Sequence, residues 1–127
     1  MTRVVLDASA LLASLRGEPG ADRIDTVITG AQMSAVNLAE VVQKLVADGA
    51  TDEAVRAIVD GLACKIEPFD AAMGVQTGLL RRATGRRGLS LGDRACLALA
   101  LRLGLPAMTA DRAWADVDAG VEVVLIR

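Results

Sequence analysis

The chain contains no histidine and no tyrosine, and only one phenylalanine, one tryptophan and two cysteines among its 127 residues. Each shortage removes a mechanism. Without histidine there is no Ser-His-Asp or Cys-His nucleophile system, no His-ligated zinc, and no histidine pair for acid–base chemistry on RNA. Two aromatic residues cannot build the base-stacking sheet that single-strand binders use. Cys64 and Cys96 lack metal-site spacing and read as reduced core residues. Long apolar runs are missing too. The longest uncharged stretch, Thr26 to Ala39, has 14 residues and includes Thr29, Gln32, Ser34 and Asn37, so no membrane span is expected. Ala8-Ser9-Ala10 resembles a cleavage site, but Asp7 interrupts the short run Val4-Val5-Leu6 before it, so no export signal and a cytoplasmic location are expected.

What the chain has in quantity is carboxylate: 11 Asp and 5 Glu, with a formal net charge of −2. If the protein does chemistry, carboxylates carry it, and a hard divalent cation is their natural cofactor. A hydrophobic content of 53% supports a sizeable core, and the length suits a single domain spanning residues 1–127.

The order of elements predicts the fold class. Arg3 to Leu6 reads as a buried strand ended by Asp7, and Ala8 to Leu15 as a helix closed by Gly17-Glu18-Pro19-Gly20. Helices are expected over Ala21–Ile28, Val36–Val46, Thr51–Leu62, from Asp70 to about Ala83, and over Gly92–Leu103. Strands are expected at Gln32–Ser34, Cys64–Glu67, Pro106–Thr109 and Glu122–Ile126, with a helical turn at Asp111–Trp114. Residues 84–89 read as a Gly/Arg loop. Alternation of this kind implies an α/β domain whose parallel sheet of about five strands carries helices on both faces.

Sites in such sheets form at the carboxyl ends of the strands. Asp7 directly follows the first strand, Asp111 lies just beyond the fourth, Asp93 opens the buried helix, and Glu40 sits one turn into the helix after the second strand. Singly, each has a plain structural reading. Asp7 and Asp111 can cap helices, Ser90-x-x-Asp93 fits a capping box, and Glu40 can be a solvated helix residue. Jointly, four acids at one sheet edge repel one another unless a cation bridges them.

The segments carrying these acids resemble a known family. Val4-Val5-Leu6-Asp7-Ala8-Ser9-Ala10-Leu11, Val36-Asn37-Leu38-Ala39-Glu40-Val41, Leu89-Ser90-Leu91-Gly92-Asp93-Arg94-Ala95-Cys96-Leu97-Ala98-Leu99-Ala100 and Thr109-Ala110-Asp111-Arg112-Ala113-Trp114 stand in the order of the four motifs of PIN-domain ribonucleases. In particular the chain resembles VapC toxins of bacterial toxin–antitoxin pairs, over essentially its whole length. The resemblance implies a single PIN-like domain with Mg²⁺- or Mn²⁺-dependent endoribonuclease activity, using one or two ions. Asp7 and Asp93 are the expected direct metal ligands. Glu40 and Asp111 would complete the pocket directly or through water, and Asp116 is either a peripheral ligand or a surface charge. In-line attack of water on phosphorus is expected to leave a 5′-phosphate and a 3′-hydroxyl. Ser9, Asn37 and Thr109 stand beside the acids and are expected to orient water or phosphate, or else to serve local capping. Arg81, Arg82, Arg86, Arg87 and Arg94 form a basic cluster that would contact the RNA backbone, or simply be a solvated loop. The resemblance further implies a VapB-type antitoxin, a transfer- or ribosomal-RNA substrate and a homodimer, with Leu11, Leu12 and Leu15 forming its face or the core.

Two other classes compete. A catalytically inactive PIN-like module would bind RNA or protein without cutting. A receiver-like phosphoacceptor domain would share the acidic magnesium pocket, but it wants a paired acid after the first strand and a lysine after the last. Asp7 stands alone, and the chain ends Val123-Val124-Leu125-Ile126-Arg127.

Overall fold

The computed structural model describes residues 3–127, apart from the side chain of Arg86. Five short strands form one parallel sheet: β1 (Val5–Leu6), β2 (Gln32–Ser34), β3 (Lys65–Glu67), β4 (Ala107–Thr109) and β5 (Val123–Leu125), in the spatial order β3-β2-β1-β4-β5. Seven α-helices connect them: α1 (Ala8–Arg16), α2 (Ala21–Val27), α3 (Ala35–Ala47), α4 (Asp52–Asp60), α5 (Ala71–Leu79), α6 (Arg81–Thr84) and α7 (Leu91–Leu103). The fold class is therefore the one that the alternation of elements predicts.

The strands are shorter than the apolar runs that encode them. Val4 lies outside β1, yet its carbonyl accepts the Gln32 N–H at 2.9 Å, so the extended run and the paired ladder differ only at their ends. Successive residues of a strand face opposite sides. Val4 and Leu6 enter a core under α1, α2 and α3 with Leu11, Leu12, Ile24, Met33 and Met108. Val5 enters a second core with Met73, Leu97, Leu99, Ala107 and Trp114. Leu11 and Leu12 are thus core residues, and of the early leucines only Leu15 is exposed.

Two helical expectations need correction. The helix after Asp70 does not run through to Ala83. It ends at Leu79, and a separate short turn, α6, follows it. The Gly/Arg loop is also more ordered than its composition suggests, since Gly85–Arg87 form a 3₁₀ turn. Helix α7 behaves as its all-round apolar stretch predicts: every residue from Ala95 to Ala100 is buried, and Gly104 ends the helix in the left-handed conformation at φ 66°.

The topology positions the site. From β1 the chain steps to β2 and β3 on one side, then returns to β4 and β5 on the other. The switch point, where an open parallel sheet binds ligands, falls at the carboxyl ends of β1 and β4.

Candidate active site

Asp7 occupies that point. It is 3% exposed and receives three kinds of donor. The Ala10 N–H donates to Oδ1 at 2.9 Å, as expected of an N-cap of α1. The Thr109 hydroxyl donates to Oδ2 at 2.7 Å, and the Ser9 hydroxyl spans both oxygens at 2.8 and 3.0 Å. Burial pushes the Asp7 carboxyl from its ordinary 3.8 up to about 6; the bonds from Ala10, Thr109 and Ser9 oppose the rise, and the charge of Asp93 adds to it. A carboxylate so buried, with another acid nearby, is stabilised by any cation that reaches it.

Glu40 and Asp93 share this environment. Cys96 lies one helical turn beyond Asp93, and burial raises its thiol pKa well above the ordinary value, with the charges of Asp7, Asp93 and Glu40 adding to the rise. In the structure Glu40 and α7 are joined through Asn37, whose amide donates to Glu40 Oε1 and to the carbonyl of Gly92, the residue before Asp93. Asp93 forms the capping box of α7, its Oδ2 accepting the Ser90 N–H at 2.9 Å while the Ser90 hydroxyl accepts the Asp93 N–H at 3.1 Å. Glu40 Oε1 accepts the Asn37 amide at 2.8 Å. Among the described residues, none of these three acids is paired with a lysine or arginine.

Asp111 stands apart. It is exposed, and its Oδ1 accepts the Ala113 N–H at 2.9 Å, capping the 3₁₀ turn Arg112–Trp114. Asp116 is exposed as well and faces Arg87 at 3.9 Å. As they stand, no three acidic or cysteine side chains among the described residues are grouped tightly enough to enclose an ion. The donor set nevertheless suits a hard cation. It consists of carboxylate oxygens without basic partners, and magnesium keeps several of its waters and needs few protein ligands.

The three neighbouring polar residues make local bonds, and Asn37 and Thr109 are buried while Ser9 is half-buried. Thr109 is fully buried and Asn37 only 1% exposed, so neither presents a polar atom to a phosphate. The Thr109 hydroxyl donates to Asp7 and accepts the Asp111 N–H at 3.0 Å. Ser9 Oγ accepts the Ala110 N–H at 3.0 Å and lies 3.2 Å from Thr109 Oγ1. Ser9 and Thr109 therefore tie β4 to Asp7, and Asn37 ties Glu40 to α7 by donating to the Gly92 carbonyl at 3.0 Å. Gly92, which accepts that bond, is a residue that sequence reasoning did not single out. The available signal was a glycine in the first turn of a strongly encoded helix.

The arginines divide. Arg81, Arg82 and Arg87 are exposed. Arg94 is half-buried, and its guanidinium donates to the Leu89 carbonyl at 2.9 Å, so it braces the loop before α7. The side chain of Arg86 lies outside the described residues.

A parallel α/β domain with a buried aspartate at the end of its first strand defines a broad class of proteins. Within that class the assignment is direct: the family model of the PIN domain matches residues 4–120, and the chain belongs to that family. No curated protein matches the sequence. Solved structures of the same fold include DNA-bound VapBC from Salmonella typhimurium, at TM-score 0.74 and 18% identity over 100% of both chains. FitAcB from Neisseria gonorrhoeae is similar at TM-score 0.71 and 21% identity, over 97% of each chain. Mycobacterium tuberculosis VapC20, described as a sarcin-ricin loop cleaving toxin, gives TM-score 0.72 and 19% identity over 94% of this chain and 98% of its own.

Proposed function

We propose that this PIN domain is a divalent-metal-dependent endoribonuclease, the VapC-type toxin of a toxin–antitoxin pair. The observation that carries the reading is Asp7: a buried carboxylate at the sheet's switch point, held by three donors and, among the described residues, without a basic partner. Asp7 and Asp93 are the proposed direct ligands of Mg²⁺ or Mn²⁺, with Glu40 and Asp111 acting directly or through water. A bound ion would acidify a water and neutralise charge developing on the phosphate. The chain's own residues supply the rest. Ser9 and Thr109 fix the direction of the Asp7 carboxylate. Glu40, partly exposed, would accept a proton in this reading. Exposed Arg81, Arg82 and Arg87 offer phosphate contacts that an acidic protein otherwise lacks.

The partners follow from the same reading. Related folds are found in VapBC complexes, which supports a VapB-type antitoxin. A structured transfer or ribosomal RNA is the proposed substrate, a homodimer the proposed assembly and the cytoplasm the proposed location. No described helix is long and apolar enough to cross a membrane. Asp116, exposed beside Arg87, is read as a surface charge.

The test is cleavage of host RNA by the purified protein with Mg²⁺ or Mn²⁺. Cutting that leaves 5′-phosphate ends, and that stops in Asp93→Asn with the fold intact, is the expected result. The loose spacing of the acids favours one competing reading, the non-cutting binding module. Metal-loaded protein that binds RNA but never cuts it establishes that alternative.

A further inference from the structure

Gly92 carries an unexplained requirement. It is the second residue of α7 and its backbone is ordinary for a helix, so it does not need a glycine's conformational freedom. What it provides is room. A Cβ built at Gly92 would lie 2.3 Å from Glu40 Oε1, 2.6 Å from Cδ and 2.8 Å from Oε2. The whole Glu40 carboxylate therefore rests against the Gly92 backbone, in the space that any other side chain would fill.

Asn37 closes the arrangement. Its one amide group donates both to Glu40 Oε1 at 2.8 Å and to the Gly92 carbonyl at 3.0 Å, clamping the acid from α3 onto the first turn of α7. Asn37 is buried, and among the described residues its Oδ1 has no partner. The first turn of a helix also carries the positive end of its dipole, which favours an anion there.

We propose that Gly92 and Asn37 are positioning residues: the missing side chain of Gly92 is the seat of the Glu40 carboxylate, and Asn37 locks it there, beside Asp93, preset for a divalent cation. This rests on the metal-dependent reading above.

Gly92→Ala is the sharp test, because the added methyl meets the end of a flexible side chain rather than backbone. The helix accepts alanine readily, so the metal-free protein is expected to melt no lower than wild type. Mn²⁺ affinity by titration calorimetry is expected to fall by about tenfold or more, as for other residues that orient a metal ligand. The RNA cleavage kcat should fall with it, while KM changes little. In an Glu40→Ala background, adding Gly92→Ala should change Mn²⁺ affinity no further. Asn37→Ala, which frees Glu40 without crowding α7, should show the same dependence on Glu40 and serves if Gly92→Ala fails to fold. Wild-type Mn²⁺ affinity in Gly92→Ala overturns the seat alone, as does an equal loss with and without Glu40. A wild-type protein that takes up no Mn²⁺ removes the metal reading and the seat with it.

Discussion

Asp7 and Asp111 follow neighbouring parallel strands, and in the sequence they look equivalent. In the structure they are not. Asp7 is 3% exposed, collects donors from Ala10, Ser9 and Thr109, and titrates near 6. Asp111 is exposed and makes one cap bond to Ala113. Both perform the capping that their positions suggest, so capping does not distinguish a structural acid from a functional one. Burial does. A buried carboxylate with no cation costs stability, and a protein tolerates that cost where a ligand repays it.

The contrast predicts unequal effects. The largest falls on activity. Asp7→Asn is expected to lower RNA cleavage by at least about a hundredfold, beyond the usual cost of removing a group that merely orients a ligand. Asp111→Asn should lose far less, and equal losses in single-turnover assays break the comparison.

The second effect is on metal-free stability against pH. The folded pKa of Asp7 lies above its unfolded value, so the native state binds more protons between them. The stabilisation is complete below about 3.8 and is lost as pH rises through about 6. A rise of that size corresponds to about 3 kcal/mol. Urea unfolding between pH 4 and 7 should show this decline in the wild type and much less of it in Asp7→Asn, which should be the more stable protein at pH 7. Parallel pH profiles for the two proteins contradict the burial argument.

A smaller effect belongs to Thr109→Val, which strips a donor from Asp7 and an acceptor from the Asp111 N–H. A loss of about 1–3 kcal/mol is expected at pH 7, with a smaller loss at pH 4 where Asp7 is protonated. The smallest is Asp111→Ala, which removes one exposed cap and should cost about 1 kcal/mol in the metal-free protein.

Much of this was legible in the residues. The β-branched run before Asp7, the Ser90-x-x-Asp93 box and the all-apolar stretch of α7 each specify local structure, and strand–helix alternation specifies the parallel sheet. The roles of the polar neighbours were less legible. Thr109 and Asn37 adjoin acids in sequence, which leaves open whether they face substrate or serve local capping. Their burial is decided by the packing of β4 on β1 and of α3 on α7, which no local pattern encodes. Gly92 was invisible for the same reason, since its neighbour across the gap, Glu40, is 52 residues away. Arg94 looked like part of the basic cluster but is turned to the Leu89 carbonyl. The break after Leu79 also escaped notice, because Leu80 continues the apolar pattern while its side chain enters the core between α5 and α6.

The most direct test of the account is a Mn²⁺ titration of wild type and Asp7→Asn at pH 7, followed by calorimetry and thermal melting. The account predicts that Mn²⁺ binds the wild type and raises its melting temperature, while Asp7→Asn starts higher and gains little. A wild type that neither binds Mn²⁺ nor shifts, or an Asp7→Asn protein that binds it equally well, would contradict a metal centre built around Asp7.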